Sequence, residues 1–130
     1  MGLEEKRRIK ELQEVTLPER VREIEEICGA PIPYNVDWDS LANDAAGLNF
    51  LDNLSCHRLN MALRTICADD LGKEAIRESL TSVKLVNVAD VADKSIVFAD
   101  GVLEMHCAYA QGAEGMIPDS EIHAVLMAGL

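Results

Sequence analysis

Apolar residues recur at helical spacing through the first two thirds of the chain. Residues 3–14 are rich in strong helix formers and charged nearly all round, which predicts a polar first helix. A second helix is predicted over residues 17–28, where apolar side chains return every three or four positions. Thr16 and Glu19 have the spacing of a capping box at its start, and Gly29 is a suitable C-terminal cap.

The middle of the chain begins with a segment that interrupts the helical pattern. Residues 29–39 contain two prolines, which predicts a linker or a short extended segment. Further helices are predicted over residues 40–54 and 55–70, with a break near residues 53–55, and near residues 71–80. Asp69 or Asp70 has the position of an N-cap for the helix near residues 71–80.

The pattern changes to alternation of apolar and polar residues after residue 81. Three strands are predicted, over residues 82–88, 94–99 and 101–110, the last two joined by a tight turn at Asp100-Gly101. A final helix is predicted over residues 119–129. The predicted fold class is therefore α+β, with N-terminal helices followed by a three-stranded antiparallel β-meander and a C-terminal helix.

Charge divides the chain at the same linker. The formal net charge is −11, of which residues 1–28 carry only −2 because acidic and basic side chains alternate there. We therefore predict an N-terminal helical arm over residues 1–29 and a compact acidic α+β domain over residues 30–130. An acidic surface repels phosphate and anionic lipid, so we expect neither nucleic acid nor a membrane as partner. With no apolar run at the N-terminus, the expected location is cytoplasmic.

The second predicted middle helix carries the clearest polar stripe. His57, Asn60, Met61 and Arg64 follow helical spacing on the side opposite to the apolar residues. Such a stripe is typical of a solvated helix face. It also fits a contact surface, because an exposed methionine among polar groups adapts to protein partners.

Three carboxylates, Asp37, Asp39 and Asp44, surround Trp38 at the start of the acidic part. The spacing lacks the glycine and the ligand positions of a calcium loop, so an EF-hand is rejected. Helix capping explains these residues most simply, and a contribution to partner binding is the functional alternative.

Cysteine and histidine do not form a convincing reactive site in the sequence. The adjacent pairs Cys56-His57 and His106-Cys107 place neighbouring side chains in different directions, which disfavours a shared metal ion. We expect no metal, no cofactor and no catalytic residue. Cysteines 28, 56, 67 and 107 are expected to be buried thiols, and disulfides remain the alternative because their number is even.

The leading functional hypothesis is a small protein-binding module of the immunity or chaperone type. Its expected partner is a basic protein or a second copy of the chain, and enzymatic activity is not expected. The alternative is a small-ligand-binding protein or enzyme. Its pocket is predicted to be lined by His57, Arg64, His106, Cys107 and Tyr109. A third possibility is a structural or oligomerisation subunit in which residues 3–28 pair with a second chain.

Overall fold

The N-terminal helix is longer than predicted. The computed structural model describes residues 2–130, and helices α1 (Leu3–Glu11) and α2 (Leu17–Cys28) are joined by a π-helical turn at Leu12–Thr16. Thr16 has helical angles and its side chain makes no capping hydrogen bond, so the predicted capping box is wrong. The continuous helix buries Leu12 together with Leu17. The end of the helix is confirmed, because Gly29 has a left-handed φ of 85°.

The middle of the chain is helical, with different boundaries from those predicted. Asp44 caps one of these helices by accepting a hydrogen bond from Gly47 N, and Asp69 caps another through Gly72 N, both at 2.7 Å. The expected break near residues 53–55 is instead a π-helical turn. The elements are α3 (Trp38–Leu41), α4 (Ala45–Phe50), the π-helical turn Leu51–Cys56, α5 (His57–Ile66) and α6 (Asp70–Ser79).

The sheet has four strands instead of the three predicted, and it is not a meander. Its spatial order is β1-β2-β4-β3, with β1 parallel to β2, β2 parallel to β4, and β3 antiparallel to β4. The strands are β1 (Tyr34–Val36), β2 (Ser82–Asn87), β3 (Ser95–Ala99) and β4 (Val102–Cys107). The class α+β is retained, while the strand order corrects the antiparallel prediction.

The connection between β2 and β3 explains why these two strands are not neighbours in the sheet. It contains a 3₁₀ turn at Val91–Asp93, so β3 is not joined to β2 by a tight hairpin. The predicted hairpin at Asp100-Gly101 does form, and both residues have positive φ, as a type I′ turn requires. β4 therefore enters the sheet between β2 and β3. The additional strand, β1, lies within the segment predicted as a linker or short extended piece.

Helices pack on one face of the sheet and form a single core with it. Leu103, Met105 and Cys107 of β4 point into this core, and the alternate residues of β4 face the other side. The C-terminal helix α7 (Asp119–Gly129) is where it was predicted, and Ile122 and Leu126 are buried. Among residues 2–130 no helix is long and apolar enough to cross a membrane.

The N-terminal helix lies against the rest of the chain. Leu12, Leu17, Ile24 and Cys28 belong to the same hydrophobic cluster as the buried residues of α5 and the sheet. The division into an N-terminal helical arm over residues 1–29 and a compact acidic domain over residues 30–130 stays a prediction. The packing makes the helix a wall of the core.

Replacing Leu103 by Ala is expected to lower the free energy of unfolding by about 2–5 kcal/mol, because a buried leucine in a central strand leaves a cavity. Leu71 is 78 % exposed, and Leu71→Ala is the control, with an expected change within about 0.5 kcal/mol. Urea unfolding of both variants measures the difference. Equal effects of the two substitutions would contradict the central position of β4.

Candidate functional site

A buried hydrogen-bond network connects α2, β1 and α5 around Asn60. The Tyr34 hydroxyl donates to Asn60 Oδ1 at 2.7 Å, and Asn60 Nδ2 donates to Glu23 Oε1 at 2.7 Å and to the Arg20 carbonyl at 3.3 Å. Asn60 is 1 % exposed, and both amide N–H groups have partners. A buried amide without hydrogen-bond partners destabilises the fold. Asn60 therefore favours the arrangement in which α2, β1 and α5 supply these partners.

Arg20 extends the network to the π-helical turn before α5. Its guanidinium donates from Nε to Asp52 Oδ1 at 2.6 Å and from Nη2 to Asp52 Oδ2 at 3.2 Å, which is a bidentate pair. A third bond reaches Glu23 Oε1 at 3.3 Å. Arg64 lies 3.7 Å from Glu23 Oε2. Glu23 is therefore held between an amide and two guanidinium groups.

These contacts change the proton affinities of Glu23 and Arg20. Burial tends to raise the pKa of Glu23, but the hydrogen bond from Asn60 and the charges of Arg20 and Arg64 outweigh it, so the pKa lies below 4.5. The hydrogen bond to Asp52 raises the pKa of Arg20 further above its ordinary value. Both side chains are accordingly ionised at neutral pH, and the cluster holds paired charges.

A second polar contact lies deeper in the core. The hydroxyl of Tyr109 donates to Ser55 Oγ at 3.1 Å, and both residues are buried. Burial raises the pKa values of Tyr109 and Cys107 above their ordinary values. A protonated, desolvated thiol is a poor nucleophile. This arrangement therefore favours a structural role for Cys107.

The four cysteines are buried free thiols. Cys28 and Cys67 are neighbours, with their Sγ atoms 2.9 Å apart at the ends of α2 and α5. Burial is the main cause that raises the pKa of Cys28, and the Cys67 thiol adds to it. Within residues 2–130 no group of three or more histidine, cysteine and acidic residues is placed to hold a metal ion.

The predicted polar stripe on α5 is divided by the fold. His57, Met61 and Arg64 are exposed, as expected for a surface face. Asn60 lies in the interior and is the position that corrects the prediction of one continuous solvated stripe. The reason is that α2 and Tyr34 cover this part of α5, and their polar groups match the amide.

The three predicted carboxylates near Trp38 lie at helix starts. Asp37 caps α3 through Ser40 N at 3.4 Å. Asp44 caps α4 and also accepts from Asn87 Nδ2 at 3.0 Å, which ties the helix to the end of β2. Asp39 is exposed. Two of the three therefore stabilise helix ends, and a role for them in binding stays a prediction.

The five residues of the predicted ligand pocket are not brought together. His57 and Arg64 are exposed on α5, whereas Cys107 and Tyr109 are buried in the core. His106 is adjacent to Cys107 on a strand, so it faces the opposite side of the sheet, where Nε2 lies 2.6 Å from Glu104 Oε2. The alternation of the strand separates the side chains that sequence proximity suggested.

An apolar groove of about 460 Å³ lies between α6, the C-terminal end of α5, and α7. Three exposed apolar side chains border it: Leu71 at 78 %, Met127 at 51 % and Leu130 at 39 %. Sequence reasoning missed this groove, although Leu71 gave a signal as an apolar residue in the first turn of α6. The groove is also lined by Thr65, Ile66, Asp69, Gly72, Ala75 and His123.

A second hollow of about 370 Å³ lies between the N-terminal helix and β1. Its walls are uncharged, and they include Gln13, Trp38 and the buried ring of Tyr34. The hydroxyl of Tyr34 points away into the Asn60 network. Leu17, Val21 and Tyr34 in this hollow are buried or half-buried, whereas three exposed apolar side chains border the α5–α6–α7 groove, so the groove is the stronger candidate site.

Replacing Asn60 by Ala is expected to lower the free energy of unfolding by about 2–3 kcal/mol, because Tyr34 and Glu23 lose buried partners. Asn53, which is exposed in the preceding turn, supplies the control Asn53→Ala. Thermal or urea unfolding measures both variants. A loss below about 0.5 kcal/mol at Asn60 would show that the network does not hold the helices together.

Acid stability is expected to depend on Glu23. Since the folded pKa lies below the ordinary 4.5, the ionised group stabilises the fold above that pH, and this contribution is lost as pH falls through the folded pKa. Glu23→Gln should therefore be less stable than the parent at pH 7, and the difference should shrink below about pH 4.5. Glu26→Gln, at an exposed position of α2, is the matched control. A pH-independent difference at Glu23 would contradict the charge pairing.

Comparison with known proteins assigns the chain to no family. No family model matches the sequence, and no similar curated protein or solved structure is found. A function has therefore to be inferred from the surfaces and charges of the chain itself.

Proposed function

We propose that the protein is a protein-binding module that takes a basic, amphipathic segment of its partner into the α5–α6–α7 groove. The observation that carries the proposal is the set of three exposed apolar side chains, Leu71, Met127 and Leu130, around one concave surface. Apolar patches rimmed by polar residues are typical of protein interaction sites. Burying these side chains against an apolar anchor of the partner supplies the affinity.

The charge around the groove favours a basic partner. Asp69 lines it, and Asp70 and Glu74 follow at exposed positions of α6. The chain as a whole carries a net charge of −11. A partner with lysine or arginine beside its apolar anchor is attracted to this rim, which raises the association rate, while apolar burial sets the dissociation rate.

The predicted binding residue Met61 lies one helical turn before Thr65, which lines the groove. Its side chain is 45 % exposed, and we propose that it extends the apolar surface along α5. Flexible methionine side chains at positions 61 and 127 suit a surface that adapts to its partner.

The proposal is tested with a synthetic amphipathic peptide of leucine and lysine as the probe. Fluorescence anisotropy is measured for the parent protein and for Leu71→Ala. Truncation of a central anchor is expected to weaken binding about tenfold. The association rate is expected to fall as salt rises from about 0.05 to 0.5 M, because ions screen the acidic rim.

The matched control is Leu3→Ala, since Leu3 is 61 % exposed on α1 and lies outside the groove. It is expected to leave peptide binding unchanged. Equal affinities of the Leu3 and Leu71 variants would show that the peptide binds the acidic surface without using the groove. An association rate that does not change with salt concentration would refute the proposed electrostatic attraction between the acidic rim and a basic partner.

A further inference from the structure

The strand β3 is an open edge of the sheet. In the order β1-β2-β4-β3 it has a neighbour on one side only. Val97, at its centre, is 56 % exposed. Segment 95–99 contains no charged residue and no proline. Proteins usually protect an exposed edge with charged side chains or proline, because an unprotected edge pairs readily with another strand.

The opposite edge of the sheet is protected in the usual way. β1 has only three residues, and Pro31 and Pro33 precede it. Proline removes a backbone donor and restricts the conformation before it, so this edge offers little to a partner strand. The contrast makes β3 the edge at which strand addition is expected.

The backbone direction of β3 follows from the neighbouring strands. The carbonyl groups of Gly101 and Cys107 accept hydrogen bonds from backbone N–H groups at the two ends of β2. The backbone N–H and C=O groups of odd-numbered residues in β4 therefore point toward β2, and those of even-numbered residues point toward β3. The residues of β3 that pair with these even-numbered residues are Ser95, Val97 and Ala99. The N–H and C=O groups of Ile96 and Phe98 therefore point away from the sheet and stay available at its edge.

We propose that β3 pairs antiparallel with β3 of a second copy, about a two-fold axis through Val97, to form a continuous eight-stranded sheet. In this register Ile96 of each copy lies opposite Phe98 of the other. The outward N–H and C=O groups of both residues then form four hydrogen bonds across the axis. No other two-fold register pairs all five residues of Ser95–Ala99. The surface is separate from the groove, and the inference does not rest on the proposed function.

Side chains on both faces suit this pairing with a second copy. The two Val97 side chains meet on the exposed face, and half-buried Ile96 packs beside Phe98 of the other copy on the helical face. At each end Lys94 lies opposite Asp100. Lys94 Nζ already donates to the carbonyls of Glu114 and Met116, which leaves one N–H for the carboxylate. The strand is thus complementary to itself in charge as well as in shape.

The pairing is tested first by sedimentation velocity over a range of concentrations with the full chain. The parent is expected to dimerise, and Val97→Lys is expected to raise the dissociation constant at least tenfold, because two lysines then face each other across the axis. Val15→Lys is the matched control, since Val15 is 53 % exposed on the N-terminal helix. If Val15→Lys weakens the dimer and Val97→Lys does not, the dimer forms through the N-terminal helix and the proposal is overturned. A parent protein that stays monomeric would overturn it as well.

A second measurement does not depend on the stability of the lysine variant. The two Val97 residues form a non-hydrogen-bonded pair with Cα atoms about 4.5 Å apart, which a disulfide spans. Val97→Cys is expected to form a covalent dimer with diamide, which takes up the two electrons and two protons of the thiols. The four native thiols are buried, so Val15→Cys gives the background. Equal cross-linking of the two variants would refute the register.

Hydrogen exchange of the parent protein gives the final check. The amide protons of Ile96 and Phe98 are expected to become more protected as the protein concentration rises, since they acquire bonds only in the dimer. Those of Val97 and Ala99 already bond to β4 and should change less. Protection at Ile96 and Phe98 that is independent of concentration would contradict pairing through this edge.

Discussion

The buried amide of Asn60 is the contact on which the arrangement of the helical layer depends. It joins the Tyr34 hydroxyl of β1 to Glu23 and the Arg20 carbonyl of α2. Apolar contacts alone tolerate small sliding of helices, whereas a satisfied amide accepts only one register. Because Glu23 is held further by Arg20 and Arg64, the position of α2 on α5 is fixed by hydrogen bonds and charge together. The N-terminal helix, which looks detachable in the sequence, is thereby tied to the core.

The elements of this fold were easier to predict than their pairing. The helix end at Gly29, the cap of α6 and the Asp100-Gly101 hairpin depend on a few neighbouring residues. The first and the last are found as predicted, and Asp69 is the cap of the two candidates, Asp69 and Asp70. The order of the strands depends on where distant segments meet. A three-residue strand such as β1 leaves little pattern, and nothing in the alternation of β2 shows whether it pairs with β3 or β4.

The site shows the same division between local and distant information. Helical spacing placed His57, Met61 and Arg64 correctly at the surface. It could not reveal that Asn60, on the same stripe, is covered by α2 and Tyr34, since this depends on residues 26 to 40 positions away. The failure of the Thr16 capping box has a related cause. Burial of Leu12 favours continuation of the helix over a cap that the local residues would allow.

The aspartates of the acidic part fall into two groups, those with a structural partner and those without one, and the sequence does not distinguish them. Asp37, Asp44 and Asp69 cap helices, and Asp52 pairs with Arg20, so these four carboxylates have structural partners. Asp39 and Asp70 are exposed without belonging to these contacts. Capping leaves the negative charge in place, and long-range attraction of a basic partner depends on the total charge. The carboxylates therefore stabilise helix ends and attract cations at the same time.

The two proposed surfaces are connected through α7. A Cβ atom at Gly129 would lie 2.5 Å from the ring of Phe98, so the last turn of α7 rests directly on the edge strand. Two residues earlier, Met127 lines the groove, as does Leu130. The same helix end therefore forms one wall of the groove and packs on the ring of an edge-strand residue. A substitution in the last turn of α7 would act on both surfaces, so variants that test one surface have to be chosen outside this turn.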